Sequence, residues 1–425
     1  MRGLHTHSCS EHDNGAGQTP LTACHDCDGL YRTTTGANRA HRAACPRCGS
    51  TLYRVLPNAL DRALALQLTV LMLLAIVNLS PFLALELGGR VEQTHLISGA
   101  WALTRLGQWE LGLIVALTSV VFPLLTAMGW LYLLIPLKFG IRPRHLGRVY
   151  RWTRSLAPWS MISVFMLGVI VAAVKLLEMA NVIPGVGLFA LIALLIVSSA
   201  ARAYEAPEII WPAEQSTAPM LPAVPAPTAL GNGLFRCHDC GHLSPADTDH
   251  CPRCGGHLHA RKPASTTRAW ALLSAAAVLF LPANLYPVMT VVQFGAEQTS
   301  TILGGIILLI KAGMVPLAIV VLFASIIVPL LKLIALAYLL LSVRRRSRWR
   351  PRDRTRLYRV AEAVGAWSMV DIYLVAILSA LVSLDALATI EAGLGASFFA
   401  AVVVLTMFAA HSFDPRLIWD HATKS

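Results

Sequence analysis

Eight of the nine cysteines fall into four Cys-x2-Cys pairs: Cys24/Cys27, Cys45/Cys48, Cys237/Cys240 and Cys251/Cys254. Two residues between paired cysteines let both thiolates of a tight knuckle face one tetrahedral ion, with Zn–S near ~2.3 Å. The 17 and 10 residues between successive knuckles suffice to return the chain to the same ion. Gly49 and Gly255 follow the second pairs, where the turn needs a permissive backbone. Four sulfurs leave no open position, so each set predicts a structural Zn2+, two per chain, folding a module too small for its own core. A dithiol redox switch is the rival chemistry, but no βαβ pattern surrounds these pairs. Cys9, among His5, His7 and His12, reads as a free thiol in a flexible tail.

A second group of reactive residues sits in apolar sequence. Lys332 falls about 13 Å from the basic end of its segment, and Asp371 about 10 Å into the next, antiparallel one. A lone charge at that depth costs at least ~2.5–3.5 kcal/mol, so two at one level are expected to pair. Ser325 and Ser368 lie seven and three residues before them on the same helical faces, and Thr406 reaches a similar depth. The cluster is either an ion pair that locks a bundle or a functional site. Thr126 and Ser163, the matching positions earlier in the chain, are uncharged, which favours function. There is no GxxxxGK[ST] loop and no nucleophile elbow, so no enzyme is expected.

The elements that position these groups are membrane helices. Of 425 residues, 56% are hydrophobic and 14% charged, with mean hydropathy +0.60, so lipid must solvate most of the chain. Eight apolar segments approach spanning length: roughly 63–85, 111–137, 159–179, 188–203, 270–292, 314–341, 366–384 and 396–411. The net charge of +12 is concentrated in loops, Lys138 to Arg154 and Arg344 to Arg359, which is the signature of a cytosolic membrane face rather than of nucleic-acid binding. On the opposite side, Glu86, Glu92 and Glu110 offset Arg90 and Arg105, and Glu297, Asp385 and Glu391 face Lys311. Both termini and both ribbons are therefore expected in the cytosol of a multi-pass inner-membrane protein. Residues 1–20 have no apolar core, so no signal peptide is expected.

The chain repeats itself. Cys45-x2-Cys48 and Pro123-Leu124-Leu125 recur 206 residues later, Asn78-Leu79-Ser80-Pro81 recurs at the same offset as Asn284-Leu285-Tyr286-Pro287, and Trp159-Ser160-Met161 and Ile210-Trp211 recur after 208. The fold class predicted is an all-α polytopic membrane protein built from two tandem repeats, each a four-cysteine zinc ribbon followed by a four-helix transmembrane bundle. The expected domains are a tail (1–20), ribbon 1 (21–56), transmembrane unit 1 (57–204), a Pro-rich linker (205–233), ribbon 2 (234–262), transmembrane unit 2 (263–413) and a cytosolic C-terminal tail (414–425). Lys175 and Glu178 read as a local surface pair, and Asn78, Pro81, Asn284 and Pro287 as kinks or an exit mouth.

The paired ribbons, the NLxP motifs, Val328 to Lys332 (VPLLK), Trp367 to Asp371 (WSMVD) and Phe413 to Asp420 (FDPRLIWD) resemble the paraquat-inducible protein A family over nearly the whole chain. The resemblance implies an inner-membrane component that loads lipid into, or unloads it from, a tunnel of a periplasmic MCE-domain protein. Phospholipid would be the cargo. It also implies that Lys332, Asp371, Ser325, Ser368 and Thr406 form an intramembrane polar network, a candidate carrier of proton coupling. The first unit departs from the family at Ser163, where an acid is expected. The alternative is a membrane-anchored assembly or redox- or metal-sensing protein that transports nothing and recruits partners through its ribbons.

Overall fold

The computed structural model describes residues 21–32, 41–87, 90–176, 181–211, 226–293, 296–311, 313–381 and 388–422. Cys9 and its histidines, Glu178, Asp385 and the linker prolines 212, 219, 222 and 225 lie outside the described residues, as do the side chains of Glu86, Arg90, Glu92, Lys175, Glu297, Ser368, Asp371 and Glu391.

The chain is mostly helical. Ribbon 1 is built on β1 (Leu21–Ala23), β2 (Leu30–Arg32), β3 (His41–Ala44) and β4 (Thr51–Val55). Unit 1 follows as α1 (Ala59–Leu79), β5 (Leu83–Leu87), β6 (Arg90–Thr94), α2 (Ser98–Arg105) and α3 (Trp109–Ala116). A π turn, Leu117–Val121, then leads into α4 (Phe122–Lys138), α5 (Leu146–Leu156), α6 (Ile162–Leu176), β7 (Asn181–Pro184), α7 (Val186–Arg202) and the short α8 (Pro207–Ile210). Ribbon 2 contributes β8 (Leu234–Arg236) and β9 (Leu243–Pro245). Unit 2 repeats the order: α9 (Ser265–Leu285), β10 (Met289–Gln293), β11 (Ala296–Ser300), α10 (Ile302–Lys311) and α11 (Val315–Leu322). Its π turn, Phe323–Ile327, precedes α12 (Val328–Arg344), α13 (Pro351–Val364), α14 (Val370–Leu381), β12 (Ala388–Ala392) and α15 (Leu394–Ser412).

Six helices among the described residues are long and apolar enough to cross a membrane, against the eight segments expected. The other two segments form α7 and α14, of 17 and 12 residues. Seventeen residues reach only ~26 Å, a little short of ~30 Å of hydrocarbon. The expected first segment also ends early. Pro81 forces Ser80 into an extended conformation (ψ 143°), so α1 stops at Leu79 and Leu83 onwards forms a strand. Asn78 and Asn284 do not cap a kink there; each donates to the carbonyl four residues back, Leu74 and Phe280, at 2.7 and 2.8 Å.

The chain is not purely helical either. At the end of the molecule away from the ribbons, each unit forms a three-stranded antiparallel sheet, ordered β6-β5-β7 and β11-β10-β12. Gly393 and Gly395 lie under the Pro287 and Tyr286 carbonyls, where an added Cβ would overlap an oxygen, so only glycine lets the third strand turn into α15. The basic loops are helices too. Pro351 at the first position and Asp353 in the first turn start α13, and the Tyr358 and Ala361 face of that helix is buried.

The units meet along α6 and α14. Phe165 and Tyr373 are equivalent residues 208 apart, and they face each other with ring centroids 5.3 Å apart at 80°, which puts them on the local twofold between the repeats. Gly168 makes the approach possible, since a Cβ on it would lie 2.9 Å from Tyr373 Cβ. Gly168→Leu is therefore expected to force the units apart at a cost of about 1–3 kcal/mol. A melting temperature in detergent equal to that of the unchanged protein would contradict this packing.

Candidate functional site

Each four-cysteine set converges. The four sulfurs of each cluster lie within 4.8 Å of one another and are buried. Cys24–Cys48 and Cys27–Cys45 stand at 3.4 and 3.5 Å, and Cys237–Cys254 and Cys240–Cys251 at 3.6 Å. These separations are far longer than the ~2.05 Å of a disulfide and close to the ~3.8 Å edge of a tetrahedron with ~2.3 Å metal–sulfur bonds. The donor sets fit a closed tetrahedral metal. Ser50 Oγ reaches Cys24 and Cys48 Sγ at 2.8 and 3.0 Å and orients the first set.

The ribbons do not dock on the bundles they precede. Ribbon 1 sits on unit 2: Arg359 of α13 donates to Asp26 at 2.7 Å and to the Cys48 carbonyl at 3.2 Å, and Arg352 donates to the Pro46 and Arg47 carbonyls. Ribbon 2 sits on unit 1: Arg151 of α5 donates to the Cys254 carbonyl, and Gly147 approaches so closely that a Cβ would lie 2.5 Å from that oxygen. The Cys-Pro-Arg-Cys knuckles repeat the crossing. Arg47 lies 4.6 Å over Trp419, and Arg253 lies 5.7 Å over Trp211. The repeated Ile-Trp motifs are thus ribbon anchors. Trp419 also donates to Thr355 at 2.9 Å, and Trp211 packs edge-on against Tyr150 at 4.9 Å.

Residues 413–420 fold into this joint. Asp414 accepts from the Lys262 backbone at 3.0 Å and pairs with Arg416 at 2.9 Å, and Arg261 bridges Asp28 of ribbon 1 to Asp420. Burial opposes ionisation of Asp414, but the Arg416 guanidinium and two backbone N–H groups outweigh it and hold its carboxyl below the usual carboxylate range.

The membrane cluster is partly assembled. Ser325, Lys332 and Thr406 are buried, at 1%, 4% and 2% exposure, deep in unit 2. Thr406 donates to the Val403 carbonyl, whereas Ser325 Oγ and Lys332 Nζ have no hydrogen-bond partner among the described residues. The Lys332 ammonium rests against Gly365, at the start of the 3-10 turn Gly365–Met369 that leads into α14, which carries Asp371. Ser325 lies in the π turn, a backbone irregularity common at functional sites. The first unit shares the π turn but not the unpartnered groups. Ser119 donates to Val115 and Thr126 to Pro123, while Ser163 is exposed.

Unit 2 is also open where unit 1 is closed. In unit 1, Gly99 seats α2 on α14, with an added Cβ only 3.2 Å from the Ala376 carbonyl. In unit 2, nothing lies within 4 Å of a Cβ built on Gly305. A cavity of about 90 Å³, open at its mouth, lies there, lined by Ser300 and Thr301 beside the sheet, by Ile302 and Leu374, and by Ser325. The residue pattern hid this cavity, because α2 and α10 are both short apolar helices. Sequence reasoning also missed Tyr373, whose hydroxyl donates to Thr118 at 2.7 Å, and buried Ser379, which has no hydrogen-bond partner among the described residues.

Two outcomes follow. Cys24→Ser with Cys27→Ser is expected to speed hydrogen exchange in α13 and residues 413–420 while leaving α5 protected; Cys237→Ser with Cys240→Ser should do the reverse. Loosening of each ribbon's own repeat instead would refute the crossed docking. Asp414→Asn is expected to cost about 1.5–3 kcal/mol at pH 7, the usual range for a charge-assisted hydrogen bond. Because the folded carboxyl titrates below its unfolded value, that stabilisation is complete above about pH 4 and disappears as pH falls through the folded pKa. Acid unfolding curves of the two proteins should therefore converge as pH falls through the folded pKa of Asp414.

The family model for "Paraquat-inducible protein A" matches residues 60–215 and 266–423, both units. The chain is 35% identical to "Intermembrane transport protein PqiA" of Escherichia coli K12 over 95% of its own length and 96% of the relative's. It is 31% identical to "Lipophilic envelope-spanning tunnel protein A" of the same strain (93% and 90% covered). A "Probable intermembrane transport protein" of Haemophilus influenzae matches at 28% over 94% and 95%. No solved structure matches. With its two four-cysteine ribbons and membrane helices, this multi-pass protein of the bacterial envelope belongs to the paraquat-inducible protein A family.

Proposed function

We propose that this chain is an inner-membrane lipid transporter component. It spans the membrane eight times with both termini cytosolic, holds one Zn2+ in each ribbon, and loads or unloads phospholipid for a periplasmic MCE-domain tunnel. The observation that carries the reading is the cavity of unit 2. It is apolar along its walls, polar at Ser300 and Thr301, and reaches Ser325, which has no hydrogen-bond partner among the described residues. An acyl chain suits such walls, and a headgroup suits the polar rim. The relatives' names, intermembrane transport and lipophilic tunnel proteins, support lipid as cargo.

Lys332 lies two turns beyond Ser325 on the same face, ~10 Å deeper. With Asp371, Ser368 and Thr406 it forms the site where a proton exchanges for an ion pair and so changes helix packing. Among the described residues Lys332 Nζ has no hydrogen-bond partner, and a buried charge without one is costly to keep.

The cavity is tested by filling it. Gly305→Phe has free space and should yield folded, membrane-inserted protein that no longer restores an envelope-integrity defect; full complementation at normal protein level would remove the cavity from the path. Lys332→Met with Asp371→Leu, and Asp371→Asn alone, are likewise expected to abolish complementation without loss of protein. Thr126→Ala and Ser163→Ala are expected to be silent. An active Lys332→Met/Asp371→Leu protein would make the cluster a structural lock.

A further inference from the structure

Gly365 follows α13 with φ −56° and ψ −36°, ordinary right-handed helical values that any residue adopts. Its backbone does not require glycine, and glycine in a helical backbone is less stable than alanine there. Space explains it. A Cβ at 365 would stand 2.6 Å from Lys332 Nζ and 3.2 Å from its Cε, with Met407 at an ordinary 3.9 Å. The missing side chain is the socket for the ammonium.

The first repeat supplies the control. Its residue matching Lys332 is Thr126, and its residue matching Gly365, 208 earlier, is Ala157, in a 3-10 turn of the same kind. Thr126 is short and bonds its own helix at Pro123, so nothing there needs the room. Lysine comes with glycine, and threonine with alanine.

We propose that Gly365 is a positioning residue that seats the Lys332 ammonium against the 3-10 turn opening α14, so that the charge of α12 is held at the level of that turn. This rests on the transport role given above to Lys332. The atom a Cβ would displace is the far end of a flexible side chain, so the backbone does not need to move. A methyl group at 365 pushes the ammonium aside and leaves the bundle intact.

Gly365→Ala in the full-length protein tests this. The expected result is an unchanged or raised melting temperature, at least tenfold loss of complementation, and severalfold faster labelling of Lys332 by a membrane-permeable amine-reactive ester, read by peptide mass spectrometry. Unchanged labelling in a folded Gly365→Ala protein overturns the proposal whatever its activity. Faster labelling with full activity keeps the socket and instead refutes the transport role of Lys332. Should Gly365→Ala lower the melting temperature, the pair Lys332→Thr/Gly365→Ala, which copies the first unit, restores it if the clash is with the ammonium. Continued misfolding of that pair would mean the backbone needs the space, and the proposal fails.

Discussion

The contact between α6 and α14 decides how the two repeats differ. Phe165 and Tyr373 meet at the local twofold, and only one of them carries a hydroxyl. Burying that hydroxyl without a partner would cost about 1–3 kcal/mol, so it must find one, and it finds Thr118 in the π turn of unit 1. The reciprocal pair is Phe165 and Ala324, which has no polar atom to join. The π turn of unit 1 is thereby tied to α14, while that of unit 2 keeps Ser325 unpartnered among the described residues. Beside it, α2 closes on α14 through Gly99, whereas α10 leaves the cavity.

A joint of another kind holds the opposite end. Each ribbon buries its cysteines in the same apolar cluster as the bundle of the other repeat, ribbon 1 with Leu336, Tyr358 and Phe413 and ribbon 2 with Trp130, Leu133 and Tyr150. The ribbons also share a small core through Ala23, Leu234 and Leu243. The first ribbon thus closes the chain onto its last unit. The same two arginine contacts, guanidinium to the fourth cysteine's carbonyl and guanidinium over the motif tryptophan, occur on both sides. Each ribbon therefore packs on helices of the other repeat rather than its own.

Lipid solvation explains why so few polar groups are left for function. Most buried hydroxyls of the bundles bond a carbonyl three or four residues back, as Thr118, Ser119, Thr126 and Thr406 do. Against that background, Lys332 beside Gly365 and Ser325 at the cavity stand out as buried polar groups with no hydrogen-bond partner among the described residues.

By itself the sequence determined the ribbons, the repeat and most of the helices. Cys-x2-Cys spacing is local geometry, lipid admits little but helix, and a duplication is visible wherever several motifs keep one offset. It also marked Lys332 and Ser325, because a polar residue in an apolar run is conspicuous without any coordinates. Tertiary structure decided the rest. Strand pairing at Leu83–Leu87 and Met289–Gln293 depends on partners far along the chain, such as Asn181–Pro184 and Ala388–Ala392, which no local pattern reveals. Which bundle a ribbon joins depends on the Arg151 and Arg359 contacts, and the two candidate bundles are near copies in sequence. Whether a short helix after the hairpin closes or stands off turned on one glycine against Ala376 and another facing open space, a difference made by packing between units and written in neither unit alone.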